Sequence, residues 1–134
     1  MKIGGWMVVL TCAIAACASA KPAGKPDEWR TRLRRAIAED VHTREQRDQL
    51  SRVMLQAVEA GALERLSMAE LEAALGLGTE CAGYELCDQQ GFSGGDWYYL
   101  IGQLKDPAIK QLPVLIVGFN SHGYVSRVYT LKTH

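Results

Sequence analysis

Leu112-Pro113-Val114-Leu115-Ile116-Val117-Gly118-Phe119, the run LPVLIVGF, decides how the rest of the chain is arranged. It is apolar on both parities. A strand with one wet face alternates apolar and polar residues, whereas a strand covered on both faces does not. The run therefore predicts a central strand. On its C-terminal side Asn120-Ser121-His122-Gly123 has turn chemistry, and Tyr124 to Leu131, YVSRVYTL, returns as a further strand. On its N-terminal side KDPAIKQ, Lys105 to Gln111, is a loop. Before it DWYYLIG, Asp96 to Gly102, is short and aromatic and reads as a first strand. Three strands with short connections form an antiparallel meander.

A meander this small needs a partner layer, and the residues ahead of it are helical in pattern. A helix is predicted from near Asp27, with Trp29, Leu33, Ile37 and Val41 along one stripe. Thr43-Arg44-Glu45-Gln46 is a capping box that opens a second helix. Leu50, Val53, Met54, Ala57 and Val58 are its apolar stripe, and Gly61 its stop. The join at Asp40 to Thr43 holds no Pro or Gly, so the two helices running together is an alternative. Ser67-Met68-Ala69-Glu70 is a second capping box, with Leu71, Ala74 and Leu75 following and Gly76 as the stop. The expected fold is α+β, with N-terminal helices packed on one face of a three-stranded antiparallel β-meander.

Residues 1–16 read as a signal peptide: Lys2 is a minimal positive start and WMVVLTCAIAA an apolar stretch too short for a good transmembrane helix. No later stretch is long enough to span a bilayer, so the remainder is expected to be water-soluble. The end of the leader, IAACASA from Ile14 to Ala20, carries two instructions. Ile-Ala-Ala-Cys is a lipobox that would acylate Cys17, and Ala18-Ser19-Ala20 is a small-x-small site for ordinary cleavage. Residues 17–27, rich in Pro, Ala and Lys, form a flexible tether. A tether makes most sense when its start is fixed, which favours the lipobox. Residues 28–134 are then a single α+β domain, helical over 28–76 and sheet over 96–131. Roughly 115 residues remain after the leader, enough for one modest core.

Cysteine usage agrees with export. Cys12 is lost with the leader, and Cys81 and Cys87 remain as a close pair, for which a disulfide is the default in an oxidising compartment. The five residues between them make CAGYELC a poor metal or thioredoxin-type motif. The following DQQGFSGG is a glycine-rich link. It lacks the Lys-Ser/Thr pair and the helix that a phosphate cradle needs.

The chain has 15 basic and 15 acidic side chains, so it gives no case for a nucleic-acid partner. The charges are segregated all the same. Trp29 to Arg52 holds seven arginines against four carboxylates, and Glu70 to Asp96 holds six carboxylates and no Lys or Arg. Solvated helix and loop faces explain this. The sharper reading is a basic helix near a lipid anchor, resting on anionic headgroups. No catalytic constellation stands out: His42, His122 and His134 have no second metal ligand at useful spacing, and no GxSxG is present. Asp96 with Glu85 or Asp88 as working carboxylates, or Asp96 with His122 and Arg127, is supported only by the presence of those residues. No metal, cofactor or catalytic residue is expected.

The aromatic residues point to protein binding instead. If Trp97, Tyr99 and Ile101 pack on the helices, Tyr98 and Leu100 face away from them, and Arg127 and Tyr129 can join from the last strand. A sheet face bearing Tyr98, Arg127 and Tyr129 is a candidate partner-binding surface. The alternatives are that a loop or the N-terminal segment covers it, or that the aromatics serve only as cross-strand pairs.

SMAELEAALG, then a cysteine-bearing loop, then GDWYYLIG and PVLIVGFNSHGYVSRVYTL, resembles the BamE-like (SmpA/OmlA) domain over about residues 67–131. That domain shares its topology with the beta-lactamase inhibitor protein (BLIP) fold, which places two cysteines much as Cys81 and Cys87 stand here. The structural positions that match are Leu71, Leu75 and Gly76 of the helix and Trp97, Tyr99 and Phe119 of the sheet. The Arg-rich segment Trp29 to Ala60 departs from the family pattern, and one copy of the domain stands where BLIP has two. The resemblance implies a non-enzymatic bacterial cell-envelope lipoprotein that binds or scaffolds other envelope proteins. It would be held through acylated Cys17 at the outer membrane, on its periplasmic side in a Gram-negative host. The alternative is a periplasmic or secreted soluble binding or inhibitor module that uses its exposed sheet face.

Overall fold

The computed structural model describes residues 22–134. The signal segment 1–16, Cys17, the Ala18-Ser19-Ala20 site and the first part of the tether lie outside these residues.

The run LPVLIVGF is the centre of the fold. It forms β5 (Val114–Phe119), which lies between β3 (Trp97–Leu100) and β6 (Val125–Leu131) and is antiparallel to both. Val114, Leu115, Ile116 and Val117 are fully buried, as a run apolar on both parities requires. The chain is α+β as the pattern predicts, but the sheet has four strands. β2 (Thr79–Glu80) pairs with β3 in the order β2-β3-β5-β6. It is two residues long and polar, so it carries no alternation from which to read a strand.

Trp97, Tyr99, Leu115 and Val117 point from the sheet into the main core, joined by Ile101. Against them pack α1 (Pro26–Ile37), α2 (Arg44–Glu59) and α3 (Met68–Leu75). Proline opens α1, Asp27 and Glu28 sit in its first turn, and Arg34 and Arg35 sit in its last, all favourable to the helix dipole. Both capping boxes form. The Thr43 side chain accepts from the Gln46 N–H at 3.1 Å while Gln46 Oε1 accepts from the Thr43 N–H. Ser67 and Glu70 make the same exchange at the start of α3.

The two Arg-rich helices do not run together. Between them Val41 turns inward, fully buried, as part of β1 (Asp40–Val41). β1 pairs in parallel with β4 (Gln103–Leu104), and Gly102 packs against it. This small second sheet was not legible, because two residues on each side carry no periodicity.

A third layer closes the other face of the main sheet. The segment Cys81–Phe92, with α4 (Glu85–Gln89) inside it, packs over Val114 and Ile116 to form a second apolar cluster. Helices therefore cover one face and the disulfide segment the other.

Tyr99 ties the sheet to the end of α3: its hydroxyl donates to the Gly76 carbonyl at 2.9 Å. Burial, with Glu72 adding a smaller contribution, pushes its phenol well above the ordinary range. Because the folded value is raised, this contribution is fully present below the unfolded value of about 10 and is lost as pH rises beyond it. Denaturant midpoints taken at about pH 9 and about pH 11 should fall further in the wild type than in Tyr99→Phe, whose side chain does not ionise. Parallel falls would show that Tyr99 ionises as freely in the folded chain as in the unfolded one. At neutral pH the same variant should lose about 1 kcal/mol for the missing hydrogen bond.

Candidate partner-binding surface

Tyr98, Arg127 and Tyr129 share one face of the sheet. Tyr98 pairs with Ile116 in β5, and Ile116 pairs with Tyr129 in β6, so the two tyrosines flank a fully buried isoleucine in one cross-sheet row. Arg127 lies opposite Gly118. The face is not open. The Tyr84 ring stacks on Tyr98 with centroids 4.0 Å apart and planes 19° from parallel. Burial, with Tyr98 adding a smaller contribution, raises the Tyr84 phenol above its usual range. The Arg127 guanidinium lies over the Phe92 ring at 4.0 Å and donates to the carbonyls of Gln90 and Gly91. A cation and a tyrosine expected to face a partner therefore hold the chain's own disulfide segment. What stays accessible is a rim: Leu100 at 44 % exposure, the outer side of Arg127, and parts of half-buried Tyr98 and Tyr129.

The clamp is Cys81–Cys87, with an S–S distance of 2.08 Å. Both sulfurs are buried, and Phe92 sits beside them against Val114 and Ile116. The glycine-rich link then returns the chain to β3 under control of Asp96. This carboxylate is buried, with Oδ2 accepting from the Ser93 N–H at 2.9 Å and Oδ1 from the Phe119 N–H at 3.1 Å. Its oxygens serve the backbone, while Glu85 and Asp88 are exposed on α4. Asp96→Asn turns an amide donor toward one of the two N–H groups, and unfolding free energy should drop by about 1–3 kcal/mol. An unchanged denaturation midpoint would mean that the carboxylate does not order this loop.

The histidines remain apart. His42, His122 and His134 are exposed, and among the described residues no group of three or more His, Cys, Asp or Glu is placed to hold a metal ion. Among the described residues no helix is long and apolar enough to cross a membrane. Several of the seven arginines act as braces. Arg30 bonds the Ala62 carbonyl and Asp27, Arg34 bonds the Ala73 carbonyl, and Arg47 bonds Asp48. Arg32 stacks over Trp29 at 4.5 Å. Arg35 and Arg44 remain exposed.

The meander pattern already puts Val125–Leu131 at a margin of the sheet; how much of that edge the chain itself covers depends on distant segments such as Leu66 and Ser51 and carries no local signal. No protein-family model, curated protein or solved structure matches this chain.

Proposed function

We propose that the chain is a non-enzymatic bacterial cell-envelope lipoprotein, acylated at Cys17, that binds or scaffolds other envelope proteins. The observation that carries the reading is the Cys81–Cys87 disulfide. Such a bond persists in oxidising compartments, and here it follows a leader that ends in Ile-Ala-Ala-Cys. The clamped segment also supports the binding role: a rigid surface loses little side-chain and loop entropy when a partner docks. This is the class of function that the BamE-like resemblance implies, with the membrane reached through the lipid and no small-molecule cofactor.

The test is the intact mass of the mature protein, recovered separately from membrane and soluble fractions of an expressing bacterium. A membrane-bound species that begins at Cys17 and carries diacylglycerol plus an acyl chain supports the reading. A soluble species that begins at Lys21 overturns the anchor and leaves a secreted or periplasmic binding module.

A further inference from the structure

We infer that the outer edge of β6 is a docking site for an extended segment of a partner protein, added as a fifth strand, with carboxylates toward the ends of that segment. The inference rests on the reading of the chain as a protein-binding module. It does not depend on the lipid anchor.

The two edges of the sheet are treated differently. β2 ends one side after two residues, one of them Glu80, which is how natural sheets blunt an edge against pairing. β6 ends the other side with seven residues, VSRVYTL, and no proline. Its single cation, Arg127, is folded back onto Phe92 and the disulfide segment. The direction of its backbone groups follows from β5. The Phe119 N–H and the Pro113 carbonyl bond toward the β3 side, so Val114, Ile116 and Gly118 face β6 and bond its residues Leu131, Tyr129 and Arg127. The N–H and C=O groups of Val128 and Thr130 therefore point outward, and among the described residues they have no hydrogen-bond partner. The chain itself closes both ends of this window. The Val125 N–H bonds the Leu66 carbonyl at 2.8 Å, and the Thr133 N–H bonds Ser51 Oγ at 2.9 Å. Between them lies room for about 20 Å of added strand.

Two grooves run along this margin. The first, about 410 Å³, is lined by Val58 and Leu63 on one side and Val125 and Val128 on the other, with Arg65 among its lining residues. The second, about 450 Å³, lies between Leu55 of α2 and the residues after β6, with Arg52 and Lys132 lining it. Apolar walls beside an open strand edge suit alternate side chains of an incoming strand. The charge at the ends selects among such strands. Asp48 is already paired with Arg47 at 2.9 Å, and the Glu64 carboxylate lies over Gly61. Arg65, Arg52 and Lys132 form no ion pair among the described residues. Arg65 is also the one described non-glycine residue with a left-handed backbone, φ 63°. The window is thus apolar between Arg52 and Lys132 at one end and Arg65, with Glu64 beside it, at the other.

The test uses the mature chain, whatever its N-terminus, and two labelled nine-residue peptides. Both alternate valine and threonine; one carries an aspartate at each end and the other a lysine. The acidic peptide should bind about tenfold tighter at low salt and slow amide exchange at Val128 and Thr130 by about tenfold or more. Thr130→Pro removes an outward N–H that the fold does not use, and it should abolish binding while retaining the fold. Arg65→Asp keeps a residue type that tolerates the left-handed backbone, and it should remove most of the preference for the acidic peptide. Equal binding of the two peptides, absence of protection at Val128 and Thr130, or a folded Thr130→Pro that binds like the wild type would overturn the inference. Protection that grows with protein concentration alone would overturn it too, because a second copy then occupies the edge.

Discussion

A methyl group at Gly102 is expected to cost the domain about 3–5 kcal/mol, from backbone strain and overpacking together. Gly102 has φ +114°, a conformation that an L-residue adopts only under strain. Its added Cβ would lie 2.7 Å from Val41 Cγ2 and 3.0 Å from Leu50 Cδ1. Neither neighbour can step aside easily: Val41 is fully buried, and the β1–β4 pairing fixes the backbone beside it. Gly123→Ala separates the two contributions. It has a similar strain, φ +82°, but nothing within 4 Å of the added carbon, so only about 1–2 kcal/mol should be lost there. Urea unfolding of both variants against the wild type measures the difference. If Gly102→Ala lost no more than Gly123→Ala, the close packing of the loop after β3 against the α1–α2 junction would be wrong.

The contrast between what was legible and what was not follows from element length. β5 was readable because its apolar run is short, β-branched and flanked by Pro113 and Gly118, and α2 and α3 because Thr43/Gln46 and Ser67/Glu70 mark their starts by side-chain chemistry. β1, β2 and β4 are two residues each and α4 five, too short for any period to register. They are products of tertiary packing, and α4 with its disulfide segment is what converts a helix-covered meander into three layers. The candidate surface shows the same limit. Period two put Tyr98 on the face away from the helices, which is where it lies. Whether that face met solvent depended on Tyr84 and Phe92 folding back over it, and nothing local to Tyr98 or Arg127 encodes that. Arg127 and Tyr129 are equally compatible with a docking surface and with a clamp.

That third layer is also where the other large effect is expected. Reducing Cys81–Cys87, or replacing both with alanine, should lower stability by about 2–5 kcal/mol, of which closing a seven-residue loop accounts for roughly 2–2.5. The loss should be local first. The disulfide segment packs into its own cluster with Val114 and Ile116, while α1, α2 and α3 belong to the main core on the opposite face. Without the covalent bond the segment keeps the Tyr84–Tyr98 stack, the Arg127 contacts to Phe92 and the Gln90 carbonyl, and the Cys81 N–H bond to the Asp96 carbonyl. Those contacts are individually worth about 1 kcal/mol and the buried Phe92 about 2–3 kcal/mol, together too little to hold a twelve-residue segment against a backbone entropy of about 1–2 kcal/mol per residue. Amide exchange from Tyr84 to Phe92 should therefore accelerate at a reductant concentration that leaves the amides of α1 to α3 protected. Dye binding to the uncovered Val114–Ile116 face should rise in step. Uniform acceleration across the helices would instead make the disulfide layer part of the same cooperative unit as the core. No acceleration anywhere would mean that the sheet holds the segment without the bond. In the first pattern Tyr98, Tyr129 and the isoleucine between them are uncovered only when the disulfide is reduced, while the oxidised protein exposes the rim and the β6 edge.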